Sequence, residues 1–258
     1  MNNTFNINRF NRLIKQQYQI SGKNSALALL SILIGYTLIL LTFTFNKYNI
    51  EAIEWLPFFI MLNGAIALPF AAYAFPAFRS KEKTFDYLLI PCSTTEKFIF
   101  NIMVRIVLPW IILPVIFYIS SHIATELSLW FNPDYYIESF RLSAIFEEVN
   151  TEQFSIILTA MILMALIAQS LLFAGATVFK KQPLIKTLVI IGATIAFVIF
   201  YFYIIIEWVE VYDSGRMPWV ATFENKDSTG YYLVALEIIG LTTTWAYAFF
   251  RVKEKEIA

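Results

Sequence analysis

Cysteine and histidine are almost missing from this sequence. It holds one of each, Cys92 and His122, in 258 residues. A single cysteine excludes an internal disulfide. Two such side chains are too few for a His/Cys metal site. Charge is scarce as well: charged residues make up 15 % and the formal net charge is zero. That balance gives no electrostatic case for nucleic acid. Only eight glycines are present, and no glycine-rich phosphate cradle can be assembled from them. The patterns HExxH, GxSxG and GxxxxGK[ST] are all absent. We therefore expect no enzyme, no cofactor and no metal, and any ATP used must be handled by another chain. The first 25 residues lack the short apolar core and small-residue cleavage site of a removable signal.

Apolar residues are abundant instead. They form 59 % of the chain, against about 45–50 % apolar and about 25 % charged in soluble domains. A helix needs about 20 apolar residues to cross about 30 Å of hydrocarbon. Six runs reach that length: 26–45, 56–78, 99–121, 154–179, 187–206 and 231–250. Membrane β-barrels show shorter alternating segments, and lipid forces backbone groups to pair within each segment. The expected fold is all-α and polytopic: one transmembrane domain over residues 1–258, with six spans and no separate soluble domain. The two three-span halves do not visibly match, which argues against an inverted-repeat transporter.

Lys and Arg set the direction, because cytoplasmic loops retain them. Fifteen of the 19 fall on one side, including Arg9, Arg12, Arg79, Lys97, Lys180, Lys186 and Arg251. Only Lys47, Arg141, Arg216 and Lys226 fall on the other. Both termini are expected in the cytoplasm. Thirteen of the 19 acids lie in the outer loops, and Trp55, Trp130, Trp208 and Trp219 fall near the outer interface.

Phe10, Leu13, Ile14 and Tyr18 have helical spacing with basic residues between them. This fits an N-terminal helix lying in the interface better than a polar leader that only sets topology. The first cytoplasmic loop reads FRSKEKTFDYLLIPCSTTEKF from Phe78 to Phe98. Phe85, Leu88 and Leu89 share one face of a short helix, and Pro91 stops it. Ser93 and Glu96 then form a capping box that starts the helix of span three. Two readings of this elbow stay open, a protein-docking ridge and an interfacial helix without a partner. Lys180, Lys181 and Pro183 read as a short topology-setting turn. The outer loop from His122 to Gln153 predicts an amphipathic helix at Leu142, Ile145, Phe146 and Val149.

Ionisable residues inside a membrane are costly and mark function by default. Glu237 falls about 9 Å into span six at helical rise; it suits either a wet cavity or a helix–helix hydrogen bond. Arg105 is close enough to the cytoplasmic edge to snorkel. Asn63, Gln169 and Ser170 suit helix–helix hydrogen bonds. Pro109 and Pro114 should bend span three.

Tyr87-Leu88-Leu89-Ile90-Pro91-Cys92-Ser93, followed by Glu96-Lys97-Phe98, is similar to a yLLLPxSxxEKf signature. That signature belongs to the membrane subunit of ABC type-2 transporters, the exporter-like permeases, notably of Bacteroidetes-like bacteria. Ile90 replaces the usual Leu, and Cys92 stands where a small residue is common. The architecture of most of the chain also resembles that family. The resemblance implies a multi-pass protein of the bacterial inner membrane, paired with a second permease subunit (self or paralogue). A separate ABC ATPase would dock on the first cytoplasmic loop. It implies coupling residues Lys81, Phe85, Tyr87, Leu88 and Leu89, with Ser93, Glu96 and Lys97 holding the elbow. The alternatives are a membrane scaffold or assembly protein without an ATPase, and an intramembrane enzyme using Glu237 with Glu147 and Glu148.

Overall fold

The computed structural model describes residues 5–79, 84, 87, 90–143, 152–208 and 226–257. Its chain is dominantly helical and organises into two compact units, Met1–Phe70 with Asp86–Asn150, and Ala71–Phe85 with Thr151–Ala258. Four helices among the described residues are long and apolar enough to cross a membrane: Ile7–Phe45, Ala52–Ala72, Thr94–Phe131 and Leu158–Val178. A further apolar helical stretch, Pro183–Phe197, is shorter.

In the first unit, α1 runs unbroken over Ile7–Phe45. The expected separate interfacial helix is therefore corrected: the N-terminal segment is helical, but it continues into the first apolar run. No proline interrupts residues 7–45, and the helix continues through Gly22 and Asn24. Strand β1 (Asn49–Ile50) and a 3-10 turn (Ala52–Trp55) lead into α2, Leu56–Ala72. That helix ends six residues before the expected Phe78. Phe75 sits at φ 52, a left-handed conformation that costs a bulky residue energy. Pro76 follows it and disfavours the right-handed helical region for Phe75, so a 3-10 turn over Pro76–Arg79 replaces the last helical turn.

Helix α3 covers Thr94–Phe131. It passes from an α segment, Thr94–Ile102, through a π turn at Met103–Val107 into Leu108–Phe131. The π turn has a clear cause. Pro109 lacks an N–H and its ring would crowd the carbonyl four residues back. Widening the turn relieves that crowding, and Leu108 N–H donates to the Met103 carbonyl instead. The helix outruns the expected end at Ser121 by ten residues, so His122 lies within α3 and not in a loop. Small buried side chains at Ala124, Thr125 and Ser128 extend its packing face beyond the apolar run. Strand β2 (Tyr136–Ile137) follows. Of the outer-loop helix expected near Leu142–Val149, only Leu142 and Ser143 lie within the described residues.

Helices α1 and α3 run parallel at a nearly constant offset. Asn6 and Ser93 are their N-caps, 87 positions apart. Ser120 donates to the Leu33 carbonyl (3.2 Å), again 87 apart. The Phe45 and Phe131 rings meet at 6.0 Å. Beyond both helix ends the register persists: β1 pairs in parallel with β2, Asn49 opposite Tyr136 and Ile50 opposite Ile137. Two long helices are thus clamped side by side, with a small cap at their C-terminal ends. Trp55 anchors the cap. It is fully buried, donates from Nε1 to the Glu138 carbonyl (2.9 Å) and meets Phe43 edge-on at 5.8 Å. The tryptophan expected near the outer interface is thus also a core residue of this unit. Phe59, Phe117 and Phe140 form a triangle of rings 5.0–5.4 Å apart beneath it.

In the second unit, α4 (Glu152–Val178) and α6 (Lys226–Ile257) lie side by side and parallel. Trp245 Nε1 donates to Ser170 Oγ at 2.8 Å. Helix α5 (Pro183–Trp208) returns after a tight turn. Gln182 adopts φ 51, and Pro183 starts the helix where its missing N–H costs nothing. Phe75 and Phe78 stack at 5.5 Å, and Phe75 meets Phe173 at 5.2 Å. A Cβ on Gly175 would overlap the Thr187 hydroxyl and come within 2.9 Å of its Cβ, so this helix pair depends on the missing side chain. Gly175→Ala should lower stability by about 1–3 kcal/mol through overpacking. Adding Thr187→Ala should return part of that loss; thermal unfolding of both single variants and the double variant checks it.

Candidate functional site

The elbow is built from short-range chemistry. Pro91 closes a tight turn in which Cys92 N–H donates to the Ile90 carbonyl at 2.7 Å. Ser93 then caps α3: its hydroxyl accepts from Glu96 N–H (3.2 Å), and Glu96 Oε2 accepts from Ser93 N–H (2.9 Å). The expected capping box is present in full.

The other carboxylate oxygen does something the sequence did not show. Glu96 Oε1 accepts from Asn6 N–H at 2.7 Å and from the Arg9 guanidinium at 2.9 Å. Asn6 is itself the cap of α1, its side chain accepting from Asn8 N–H (2.9 Å) and Arg9 N–H (3.4 Å). One buried carboxylate therefore closes the N-termini of two helices. A negative charge at that place also suits both helix dipoles. Burial by itself would raise the Glu96 carboxyl pKa; the Ser93 and Asn6 amides and the Arg9 guanidinium outweigh it and hold the group below its ordinary value. Cys92 lies beside the same joint, with Sγ 3.9 Å from the Arg9 carbonyl. Burial pushes its thiol pKa up, and the Glu96 carboxylate adds to the rise. The thiol is thus protonated and inert at neutral pH.

Lys97 is buried, 3 % exposed, and its ammonium sits 4.7 Å over the Tyr87 ring. Four of the expected coupling residues, Tyr87, Ser93, Glu96 and Lys97, are thus gathered at one joint. Lys81, Phe85, Leu88 and Leu89 lie outside the described residues. The missed partners are Asn6 and Arg9. Arg9 read as a topology charge, and no local pattern links it to a residue 87 positions away.

The two intramembrane candidates are Arg105, in the first unit, and Glu237, in the second. Arg105 lies in the π turn with its guanidinium 4.3 Å over the Phe70 ring. Glu237 is half-buried on α6, less than a turn before Gly240, where α6 meets Ile167 of α4. Its Oε2 is buried without a hydrogen-bond partner among the described residues. Its expected companions Glu147 and Glu148 are outside those residues. Among the described residues no three His, Cys, Asp or Glu side chains gather as a metal site would need. No family profile, curated protein or solved structure matches the chain.

Proposed function

We propose that this chain is the membrane-spanning permease subunit of an exporter-like ABC transporter in the bacterial inner membrane. In this reading the six helices are six spans. Both termini are cytoplasmic by the Lys/Arg distribution, and a separate ATPase docks on the loop between spans two and three. A second permease subunit completes the translocation path.

The observation that carries the reading is the Glu96 joint. A loop that only reverses the chain needs no buried carboxylate tying it to another helix. Here, movement of the elbow at residues 90–97 must move the N-termini of α1 and α3 together. Both helices measure about 58 Å at 1.5 Å per residue, against about 30 Å of hydrocarbon. They therefore reach from a docking surface on one side to the Trp55 cap on the other. A rigid pair of this length can carry a push from an ATPase across the bilayer.

Co-expression with an ATPase encoded beside this gene tests the proposal. The wild-type chain should co-purify with the ATPase. Phe85→Asp and Leu88→Asp should each abolish that association while membrane insertion persists. Absence of any ATPase from the wild-type purification would favour the scaffold reading, which shares the topology but needs no motor. Retained association in both variants would move the docking surface away from this ridge.

A further inference from the structure

In the second unit an open groove of about 370 Å³ lies among α4, α5 and α6, a volume within the range of small-molecule sites. Leu171, Ala174 and Val178 of α4 and Ile190 of α5 make its walls apolar. Its few polar groups include the hydroxyls of Thr243 and Thr244, and these are spent on carbonyls of their own helix. The Thr187 hydroxyl differs: the residue is 6 % exposed, lines the cavity, and its oxygen has no hydrogen-bond partner among the described residues. It is packed against Gly175 and leaves the groove wall apolar.

The rim is cationic. Phe179 and Tyr247 both line the cavity, and each carries a cation on its ring. Lys186 Nζ lies 5.8 Å over Phe179, and the Arg251 guanidinium lies 5.7 Å over Tyr247 while its Nε donates to the Tyr247 hydroxyl at 3.3 Å. Lys255 is close by. Burial lowers its pKa, and the charges of Lys180 and Arg251 lower it further, so Lys180, Arg251 and Lys255 share one neighbourhood. Glu254 accepts from Arg251 at 2.8 Å, but that pair is solvent-exposed and its attraction is weak.

An apolar hollow beneath a cluster of cations, at the ends of apolar helices, matches an amphiphile with an acidic head. We propose that the cavity seats an acyl chain of an anionic phospholipid, whose phosphate rests on Lys186 and Arg251. Basic pockets between membrane helices recognise acidic headgroups by this chemistry. The proposal needs the chain to lie in a bilayer but does not need the ATPase, so its failure and that of the permease reading are separable.

Native mass spectrometry of the full-length chain tests it, with dioleoylphosphatidylglycerol and dioleoylphosphatidylcholine as probes. The glycerol lipid should be retained under activation that strips the choline lipid. Lys186→Gln and Arg251→Gln change exposed side chains and should leave folding intact. Each should weaken retention of the acidic lipid by about five-fold. Ala174→Phe fills the hollow and should abolish retention of both lipids. Equal retention of the two lipids by the wild-type chain would overturn the proposal, as would rim variants that retain the acidic lipid unchanged. Displacement of the acidic lipid by equimolar oleate would assign the cavity to a mobile amphiphile instead. A dimer lost on filling the hollow, with lipid retention unaltered, would assign it to a second copy of the chain.

Discussion

Replacing Glu96 by alanine should release the first turn of α1 and cost about 2–3 kcal/mol. The carboxylate is fully buried and accepts from two backbone amides and one guanidinium. Its removal strands the buried Ser93 N–H, at about 1–3 kcal/mol for a buried donor left unpaired, while Asn6 is exposed and its amide can turn to water. Arg9 is about one-third exposed and can turn to water, so its share is small. Glu96→Gln should be nearly as harmful, because an amide nitrogen would face a donor where the second carboxylate oxygen now accepts. Glu96→Asp should be milder at Ser93 and still lose Asn6, since one methylene less cannot reach both helices. Hydrogen exchange reads this directly: amides of Asn6 to Phe10 should lose roughly a hundredfold of protection in the alanine variant, the equivalent of about 2.7 kcal/mol. The same joint should respond to acid. Its carboxyl is held below the ordinary value, which is about 4.3 in an unfolded chain. A depressed acid stabilises the fold fully above the unfolded pKa, and that contribution is lost as pH falls through the folded pKa. Protection at Asn6 should therefore hold above about pH 5 and decline below about pH 4, while in Glu96→Gln this decline should be absent. Equal acid loss in both proteins would place the titrating group elsewhere.

What the sequence revealed follows the range of each interaction. Ser93 and Glu96 are three residues apart, so their capping box was legible. Pro91 and Pro183 act on their immediate neighbours, and the structure has a turn or helix start at each. The apolar runs located the four helices that are long and apolar enough to cross a membrane, because their content depends on length and composition alone. Helix ends were less legible. The turn at Phe75, set by the following proline, ended α2 at Ala72, six residues before the end that hydropathy gave. At Ser121 the apolar run ended, but the helix continued, because Ala124, Thr125 and Ser128 pack by being small and not by being apolar. The joint between Glu96 and α1, the β1–β2 pairing and the burial of Trp55 were illegible. Each joins residues 83 to 90 positions apart, and one sequence carries no sign of which distant partners meet. The parallel register was hidden for a further reason: at the shared offset of 87 few residues are identical, among them Tyr48–Tyr135, Ile50–Ile137 and Glu51–Glu138 beside the strands.

At the opposite end of the helix pair, Trp55→Ala should be the other large loss, about 3–5 kcal/mol, the usual cost of deleting a buried aromatic. Part of it is the cavity left against Phe43. The rest is the Glu138 carbonyl, which would lose the indole donor at 2.9 Å. Trp55→Phe separates the two terms: it keeps most of the ring packing, loses the donor, and should cost about 1–2 kcal/mol. The amide of Glu138, which donates to the Ile50 carbonyl at 2.9 Å, and that of Tyr136, which donates to Tyr48 at 3.0 Å, report on the cap. Both should exchange faster in Trp55→Ala. Sites well beyond 10 Å apart usually act independently, and the cap and the Glu96 joint sit at opposite ends of helices about 58 Å long. Protection at Asn6 should therefore survive Trp55→Ala if the helix pair only bears load. Loss of protection at both ends together would show that α1 and α3 open as one cooperative unit. In that case a push at the elbow reaches the cap through a shared two-state change, and not through a passive strut.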